Sequence, residues 1–293
     1  MSDSKDKVAL QKRLDEIMKG MSSPDFWSNK ERAQETVREM EEIKAKIEGV
    51  GKYDRGNAIL HIYSGAGGDD ADDFARMLLN MYRNYAEKMG WGVQVLSKSE
   101  SNIGGIKTLF VEIVGKGAYG TLKSESGVHR LVRTSPFNSK GQRHTSFAMV
   151  EVLPVFEKTG EIEINSDDVE IEFSKSSGPG GQNVNKRETA VRVIHKDTGI
   201  AVQVSSERSQ AQNREKAMQI LAARLWEKQE EDRERLGKGL SPSTNTEPEW
   251  GSQIRSYVLH PYKMVKDHRT DTEVRNVEGV LEGDIEPFLR AQQ

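Results

Sequence analysis

The chain has 293 residues, of which 35% are hydrophobic, 30% charged and 6% aromatic, a composition that favours two or three small cores over one large core. It contains no cysteine and no paired-histidine spacing, which excludes disulfides and thiolate chemistry, so we expect no metal and no cofactor. A net charge of −3 argues against indiscriminate coating of nucleic acid, and with no apolar run of about 18 residues we expect a cytoplasmic protein without membrane spans.

The N-terminal residues 1–50 are predicted to form a reduced helical hairpin. Apolar side chains recur at helical spacing from Leu10 to Met18. A capping box at Ser28–Glu31 precedes a second, narrow apolar stripe from Ala33 to Ile47.

Residues 51–155 are predicted to form an α+β domain with one sheet and few helices. A strand leads into the glycine turn Gly65–Gly68, and a helix with acids in its first turn follows. The turn resembles a phosphate-binding loop only superficially, because four aspartates come directly after it, and a tight turn is favoured. The predicted strands are Ala58–Tyr63, Gly92–Leu96, Thr108–Val114 and Ser146–Leu153.

Residues 156–240 are predicted to form a β-sheet with one long helix, from a cap at Ser209 to about Leu236. Residues 241–293 are predicted to be a hinge and a C-terminal segment that packs on the domain of residues 51–155, giving an α+β multidomain fold. This segment is predicted to hold one strand and a short helix. The predicted elements of the two parts are Asp168–Phe173, Ala190–Ile194, Ile200–Val204, Ile254–Leu259 and Val277–Leu281.

Two stretches of the chain are strongly basic. Residues 123–143 and residues 175–196 each carry five lysines and arginines against one acid. They indicate either ordinary solvated faces or two defined contacts with a polyanion, and composition leaves both interpretations open.

The second basic stretch contains a glycine-rich loop, Ser176–Asn185. Adjacent Gly180 and Gly181 permit positive φ and let the main chain approach a substrate. Gln182 can donate and accept hydrogen bonds but is no base at neutral pH, which suits positioning of a water molecule. On composition alone, a flexible loop without chemistry is the preferred interpretation.

The flanks of this loop change that preference, because Gly180-Gly181-Gln182 resembles the GGQ loop of class-one peptide chain release factors. The resemblance covers nearly all of residues 58–293 and is most specific to the bacterial release factor 2 family, with a shortened N-terminal domain. The matching segments are Ser177–Asn185, His195–Ile200, Arg208–Asn213, Gly127–Arg133, Ser135–Phe137, Arg143–Phe147 and Trp250–Tyr257.

The resemblance implies that residues 51–155 recognise a stop codon, UAA or UGA. The tripeptide Ser135-Pro136-Phe137 would read the second base, His144 would stack between the second and third bases, and Thr145 would bond nearby. Gly68 and Asp70 align with the contact to the first uridine. Most relatives have glutamate at the position of Asp70, so the shorter side chain leaves this contact open.

At the catalytic end, the resemblance assigns peptidyl-tRNA hydrolysis to Gly180, Gly181 and Gln182. The backbone N–H of Gln182 would bind the oxyanion and its side chain would orient water, jointly with ribosomal RNA and not as a stand-alone enzyme. Gln182 would also be N5-methylated by a glutamine methyltransferase. Four cations at the base of the loop are expected to contact rRNA and tRNA phosphates: Lys175, Lys186, Arg187 and Arg192.

The implied partners are the ribosome with its rRNA, the mRNA stop codon and the P-site peptidyl-tRNA, and we expect a monomer. The short N-terminal domain leaves a response to release factor 3 open. Two alternatives remain. A codon-independent rescue hydrolase would lack Ser135-Pro136-Phe137 and end in a basic tail, and an RNA-binding module would have an inert glycine loop.

Overall fold

The structure is a computed structural model that describes residues 2–21, 51, 53–156, 164–174, 189–207, 209–237 and 251–292, together with residues 33, 36, 37, 40 and 43. The chain divides into two compact units, Met1–Arg55 and Gly56–Gln293. The described helices and strands are, in chain order, α1 (Ser2–Met21), β1 (Ala58–Ser64), α2 (Asp69–Lys88), β2 (Gly92–Glu100), β3 (Ile106–Val114), α3 (Ala118–Leu122), β4 (Gly127–Thr134), β5 (Arg143–Pro154), β6 (Val169–Ser174), β7 (Ala190–His195), β8 (Ala201–Val204), α4 (Gln210–Gly237), β9 (Gln253–Val258), β10 (Met264–Asp267), β11 (Glu273–Val274), α5 (Val277–Leu281) and α6 (Glu286–Ala291).

The N-terminal unit contains the helix predicted from the apolar spacing. In α1, Leu14 and Ile17 are buried and pack with Ile43, whose backbone is also helical. Met18, at the edge of the stripe, is exposed. The predicted capping box at Ser28–Glu31 lies outside the described residues.

The second unit is built on an eight-stranded sheet of order β11-β10-β9-β4-β5-β1-β3-β2. All its pairs are antiparallel except β4 with β9, which run parallel. β1 is buried on both faces, as a central strand requires. Leu60 and Ile62 face the core beneath α2, whereas Ile59 faces a second core on the other side of the sheet.

That second core joins the large sheet to a smaller layer, the β6–β8 module, which consists of β6, β7, β8 and α4. The three strands are antiparallel in the order β6-β7-β8. Val191 and Val193 of β7 pack with Leu221 of α4 and with Phe110 and Leu153 of the large sheet. The shared apolar burial is what holds the two layers together.

A polar cluster crosses the same boundary. Arg224 of α4 donates through Nη2 to Glu151 Oε2 and to His61 Nδ1, both at 2.6 Å. The other His61 nitrogen, Nε2, lies 3.1 Å from Thr108 Oγ1, and the ring stacks on Phe110. His61 Nδ1 also lies 2.6 Å from Glu151 Oε2, and burial lowers the pKa of His61, so His61, Glu151 and Arg224 form one polar group at this boundary.

The C-terminal segment is fixed by a buried ion cluster. Arg255 of β9 forms a bidentate pair with Glu125, at 2.6 Å for each bond, and donates to Asp267 of β10 at 3.0 Å. All three side chains are 0% exposed. Tyr82 donates to Glu125, and the guanidinium lies over the Phe288 ring. The cluster therefore ties β9, β10 and α6 to α2 and the turn before β4.

The structure corrects two predictions. Residues 127–134 form a strand, β4, that was not predicted because His129, Arg130 and Arg133 interrupt its apolar pattern. The C-terminal part was predicted to hold one strand, around Ile254–Leu259, and that strand is β9; β10 and β11 were missed because they are four and two residues long and β10 carries the charges of Lys266 and Asp267. The short helix at Val277–Leu281 is confirmed.

Candidate functional sites

The predicted codon-reading tripeptide lies in the β4–β5 hairpin. Thr134 pairs with Arg143, so residues 135–142 form the connection. The Ser135 N–H donates to Gln142 O at 3.0 Å and closes the loop at its base. Ser135 is buried, whereas Pro136 and Phe137 are exposed, Phe137 by 44%. The hairpin thus exposes the Phe137 ring on a loop whose base is closed by a backbone hydrogen bond.

Asp70, in the first turn of α2, is the centre of a polar cluster beneath this loop. Its Oδ1 accepts from Arg133 Nη2 at 2.9 Å, and its Oδ2 accepts from His144 Nδ1 at 2.9 Å. Burial alone would raise the pKa of Asp70, but hydrogen bonds from Ser135, His144 and Arg133 outweigh it and hold the pKa below its ordinary value. The carboxylate is therefore ionised and orients all three side chains.

His144 is held at both ring nitrogens. Nδ1–H donates to Asp70, and Nε2 lies 3.0 Å from Asn138 Nδ2, which donates to it. These two contacts fix the orientation of the ring. The side chain is still 39% exposed. Because both nitrogens are already bonded, the exposed part of the ring offers a π-face and carbon edge.

The glycine turn before α2 brings the start of that helix beside β5. The Gly65 N–H donates to Phe147 O at 2.8 Å, and the Phe147 N–H donates to Ala66 O at 2.9 Å. Gly67 has φ 135°, and a Cβ there would lie 2.9 Å from Ser146 Cα, so only glycine fits. Gly68, at the N-cap of α2, is exposed with φ 56°.

The structure thus brings Asp70, Ser135 and His144 into one bonded cluster. Phe137 adjoins it through its N–H, which donates to Ser135 Oγ at 3.2 Å. Thr145 is exposed on β5, next to His144. Gly68 lies two residues before Asp70 at the same helix start.

Arg133 was missed as a member of this cluster. Its composition placed it in a basic patch, but its side chain is only 12% exposed and also pairs with Asp73 at 2.7 Å. Of the two interpretations left open for the basic stretch, Arg133 fits neither a solvated face nor a free phosphate contact, because it pairs with the protein's own carboxylates. Asn138 was missed as well, and the one available signal was its place in the loop that links Phe137 to His144.

The predicted catalytic loop, Ser176–Asn185, lies outside the described residues. Gly180, Gly181 and Gln182 are therefore not described, and neither are Lys175, Lys186 and Arg187. The described strands fix its two ends, because Ser174 of β6 pairs with Ala190 of β7. Arg192 is half-exposed and pairs with Glu172 on the neighbouring strand at 3.0 Å. An exposed pair of this kind is weak, so Arg192 stays available to a phosphate.

In the described part of the chain, no group of three or more histidines, aspartates or glutamates could hold a metal ion. Among the described helices, none combines the length and apolar character needed to cross a membrane.

Comparison with known families defines the class of protein. Residues 47–150 match the PCRF domain and residues 157–269 match the RF-1 domain, the pair that makes up a peptide chain release factor. The RF-1 match extends into β9 and β10, which complete the large sheet and not the β6–β8 module.

Individual relatives narrow the class. Peptide chain release factor 2 of Exiguobacterium sp. is 39% identical over 95% of this chain and 90% of its own length. That of Thermomicrobium roseum is 48% identical over 88% of this chain and 69% of its own length. The solved structure of RF2 of Thermus thermophilus is 40% identical, with a TM-score of 0.74 over 98% of this chain and 83% of that chain.

The chain belongs to the peptide chain release factor 2 family. Its function is translation termination: it recognises a stop codon on the ribosome and promotes hydrolysis of peptidyl-tRNA. The predicted α+β multidomain fold is confirmed by the large mixed sheet and by the structural match. The comparisons do not favour the rescue-hydrolase alternative.

Proposed function

We propose that this factor releases peptides at UAA and UGA, with Ser135-Pro136-Phe137, His144 and Thr145 contacting the codon. The observation that carries this proposal is the Asp70 cluster, which fixes Ser135 and the His144 ring while leaving His144 and Phe137 exposed. Single-stranded bases are recognised by stacking and by edge hydrogen bonds. Because both nitrogens of His144 are bonded within the protein, its part is stacking.

Asp70 has a different part in this proposal from direct contact with a base. Its carboxylate is 4% exposed and is bonded by Arg133 and His144, so it acts by holding the reader side chains. The contact with the first uridine then falls to Gly68 and the backbone at the exposed start of α2. Aspartate in place of glutamate suits this part, because a short carboxylate stays beneath the loop.

For the hydrolysis step, we propose that Gly180, Gly181 and Gln182 act on the ester bond of peptidyl-tRNA. The Gln182 N–H would bind the oxyanion and the Gln182 side chain would orient water. Lys175, Lys186, Arg187 and Arg192 would hold the loop against rRNA and tRNA. Gln182 would be the substrate of a glutamine methyltransferase. Two observations support this proposal. The chain belongs to the release factor 2 family, and the pairing of Ser174 with Ala190 brings the two ends of the segment that contains the loop together.

The proposal extends to a cytoplasmic monomer with domain boundaries near residues 50, 155 and 240. Whether release factor 3 acts on it is tested by adding release factor 3 and GTP to the termination assay below. Faster recycling would show that the short N-terminal domain suffices for that contact.

The deciding experiment measures peptide release from ribosomes programmed with UAA, UGA, UAG or a sense codon. We expect rapid release at UAA and UGA and little at the other two codons. Equal release at all four would leave only codon-independent rescue. Release at UAG but not UGA would show that the tripeptide is misassigned.

A further inference from the structure

The polar side chain that anchors the end of the glycine-rich loop is Asn213. It lies in the first turn of α4 and is 0% exposed. Its Nδ2 donates to Thr189 O at 2.7 Å and to Glu207 O at 2.9 Å, and its Oδ1 accepts from the Glu207 N–H at 2.9 Å. One amide group thus satisfies three backbone groups from two separate segments.

Thr189 gives this contact its importance. It follows the glycine-rich loop in the chain and lies one position before β7 begins. On the other side of the loop, the chain is fixed by the pairing of Ser174 with Ala190. The Thr189 carbonyl has a side-chain partner in Asn213, so this asparagine fixes the peptide group from which the loop departs.

We propose that Asn213 is a positioning residue for peptidyl-tRNA hydrolysis: it fixes the Thr189 peptide group just before β7, and release by Gly180–Gln182 depends on that fixed point. This rests on the proposed catalytic role of that loop. The chemistry depends on geometry, since a displacement of about 1 Å at a reacting group costs on the order of 100-fold in rate. A fixed point at the base of the loop is therefore a kinetic requirement.

If Asn213 had a purely structural role, it would matter only because it holds Glu207, which precedes α4. Any substitution that loosens Glu207 would then slow release as much as a substitution of Asn213. Lys216 provides the matched control, because its Nζ binds Glu207 Oε1 at 2.7 Å and makes no bond to Thr189. The Lys216→Met variant loosens the same segment and leaves the Thr189 anchor in place.

The test compares Asn213→Asp with Lys216→Met in single-turnover peptide release at UAA. The aspartate is nearly isosteric and can still accept from the Glu207 N–H, but it loses both donors and turns a carboxylate toward two carbonyls. We expect the saturating release rate to fall about 10- to 100-fold, with the half-saturating factor concentration within about 2-fold of the parent. Lys216→Met should keep its rate within about 2-fold.

A pH profile gives a second signature that a structural role would not produce. Protonation lets the introduced acid donate to Thr189 O, and burial favours the protonated form. The release rate of Asn213→Asp relative to the parent should therefore recover as pH is lowered. Asn213→Ser, which retains one donor, serves the same comparison if the aspartate variant shows no cooperative thermal unfolding.

Three outcomes overturn the inference: rates within about 2-fold of the parent for Asn213→Asp and Asn213→Ser, equal losses in Lys216→Met, or a loss that lies in half-saturation alone. Gly181→Ala separates this inference from the proposed loop function. If Gly181→Ala abolishes release and Asn213→Asp does not, the positioning role fails and the loop stands. If Gly181→Ala releases peptide normally, the loop assignment fails.

Discussion

Two clusters of arginine and carboxylates in this protein have similar chemistry, but only one of them is bonded to an exposed residue. Arg255, Glu125 and Asp267 are completely buried. The cluster of Arg133, Asp70 and Asp73 is also shielded, but its hydrogen bonds continue to His144, which is 39% exposed. A bonded network that closes within the protein fixes the architecture, whereas one that ends on an exposed ring can fix a recognition surface.

The two clusters share one electrostatic property. Burial raises the pKa of Glu125, but the charge of Arg255 outweighs it, so the pKa lies below its ordinary value. At Asp70 burial is outweighed instead by hydrogen bonds from Ser135, His144 and Arg133. In both places the carboxylate stays ionised and holds its neighbours. The main cause is the charge of Arg255 in one cluster and hydrogen bonding in the other.

The largest effect is expected from Arg255→Met. Removing one partner of a buried ion pair leaves uncompensated charge and costs about 3–5 kcal/mol, which corresponds to a fall in Tm of roughly 6–20 °C. Thermal unfolding checks this. The triple variant Arg255→Met, Glu125→Gln, Asp267→Asn should recover part of the loss, and a single variant as stable as the parent would contradict the architectural role.

Asp70→Asn should have its main effect on recognition. The amide offers His144 Nδ1–H an N–H₂ group in place of an acceptor, so the ring loses its fixed orientation. A lost charge-assisted hydrogen bond is worth about 1.5–3 kcal/mol, which is about 10- to 150-fold in kcat/KM for release at UGA. The exposed neighbour provides the control, since Asp69→Asn should change kcat/KM by less than about 2-fold. Similar losses in both variants would remove Asp70 from the reader.

The smallest change in stability is expected from a substitution of Glu227. In contrast to Glu125 and Asp70, this carboxyl group has a raised pKa, because its burial is not offset by the nearby Arg224. Burial and the charges of Glu151 and Glu231 outweigh the charge of Arg224 and raise the pKa of Glu227 from 4.5 to about 8. A raised folded-state pKa in an acid means that the folded protein binds the extra proton between these values. Stability from this group is present below the unfolded-state pKa and is lost as pH rises toward 8.

Glu227→Gln should remove that loss. At about pH 9 the variant should be more stable than the parent by at least about 1.4 kcal/mol, the equivalent of one pKa unit, and near pH 5 the two should be similar. Urea unfolding across this range measures the difference. Glu215→Gln, an exposed change on the same helix, should show no such trend. Parallel pH profiles for the parent and Glu227→Gln would contradict the raised pKa.

Apolar periodicity predicted much of the fold, including β1, the long helix α4 and the short helix at Val277–Leu281. It missed β4 and β10, where charged residues interrupt the apolar pattern. Arg255 and Glu125 are 130 residues apart in the chain, and no local pattern shows that they neutralise each other. The resemblance supplied Ser135, His144 and Asp70, but not the bond between Asp70 and His144, 74 residues apart. The same limit hid the part of Arg133, whose acidic partners, Asp70 and Asp73, are about 60 residues earlier in the chain.

The parallel pairing of β4 with β9 has a consequence for synthesis of the protein. The β6–β8 module is encoded between two strands that lie side by side, so β4 leaves the ribosome long before its neighbour exists. Until β9 follows, β4 is an open sheet edge, the kind of surface that recruits other chains. Glu125 has no Arg255 to pair with until the chain is 130 residues longer. The large sheet therefore cannot close until the inserted module has been made, and this interval is when the nascent chain is most exposed to mispairing.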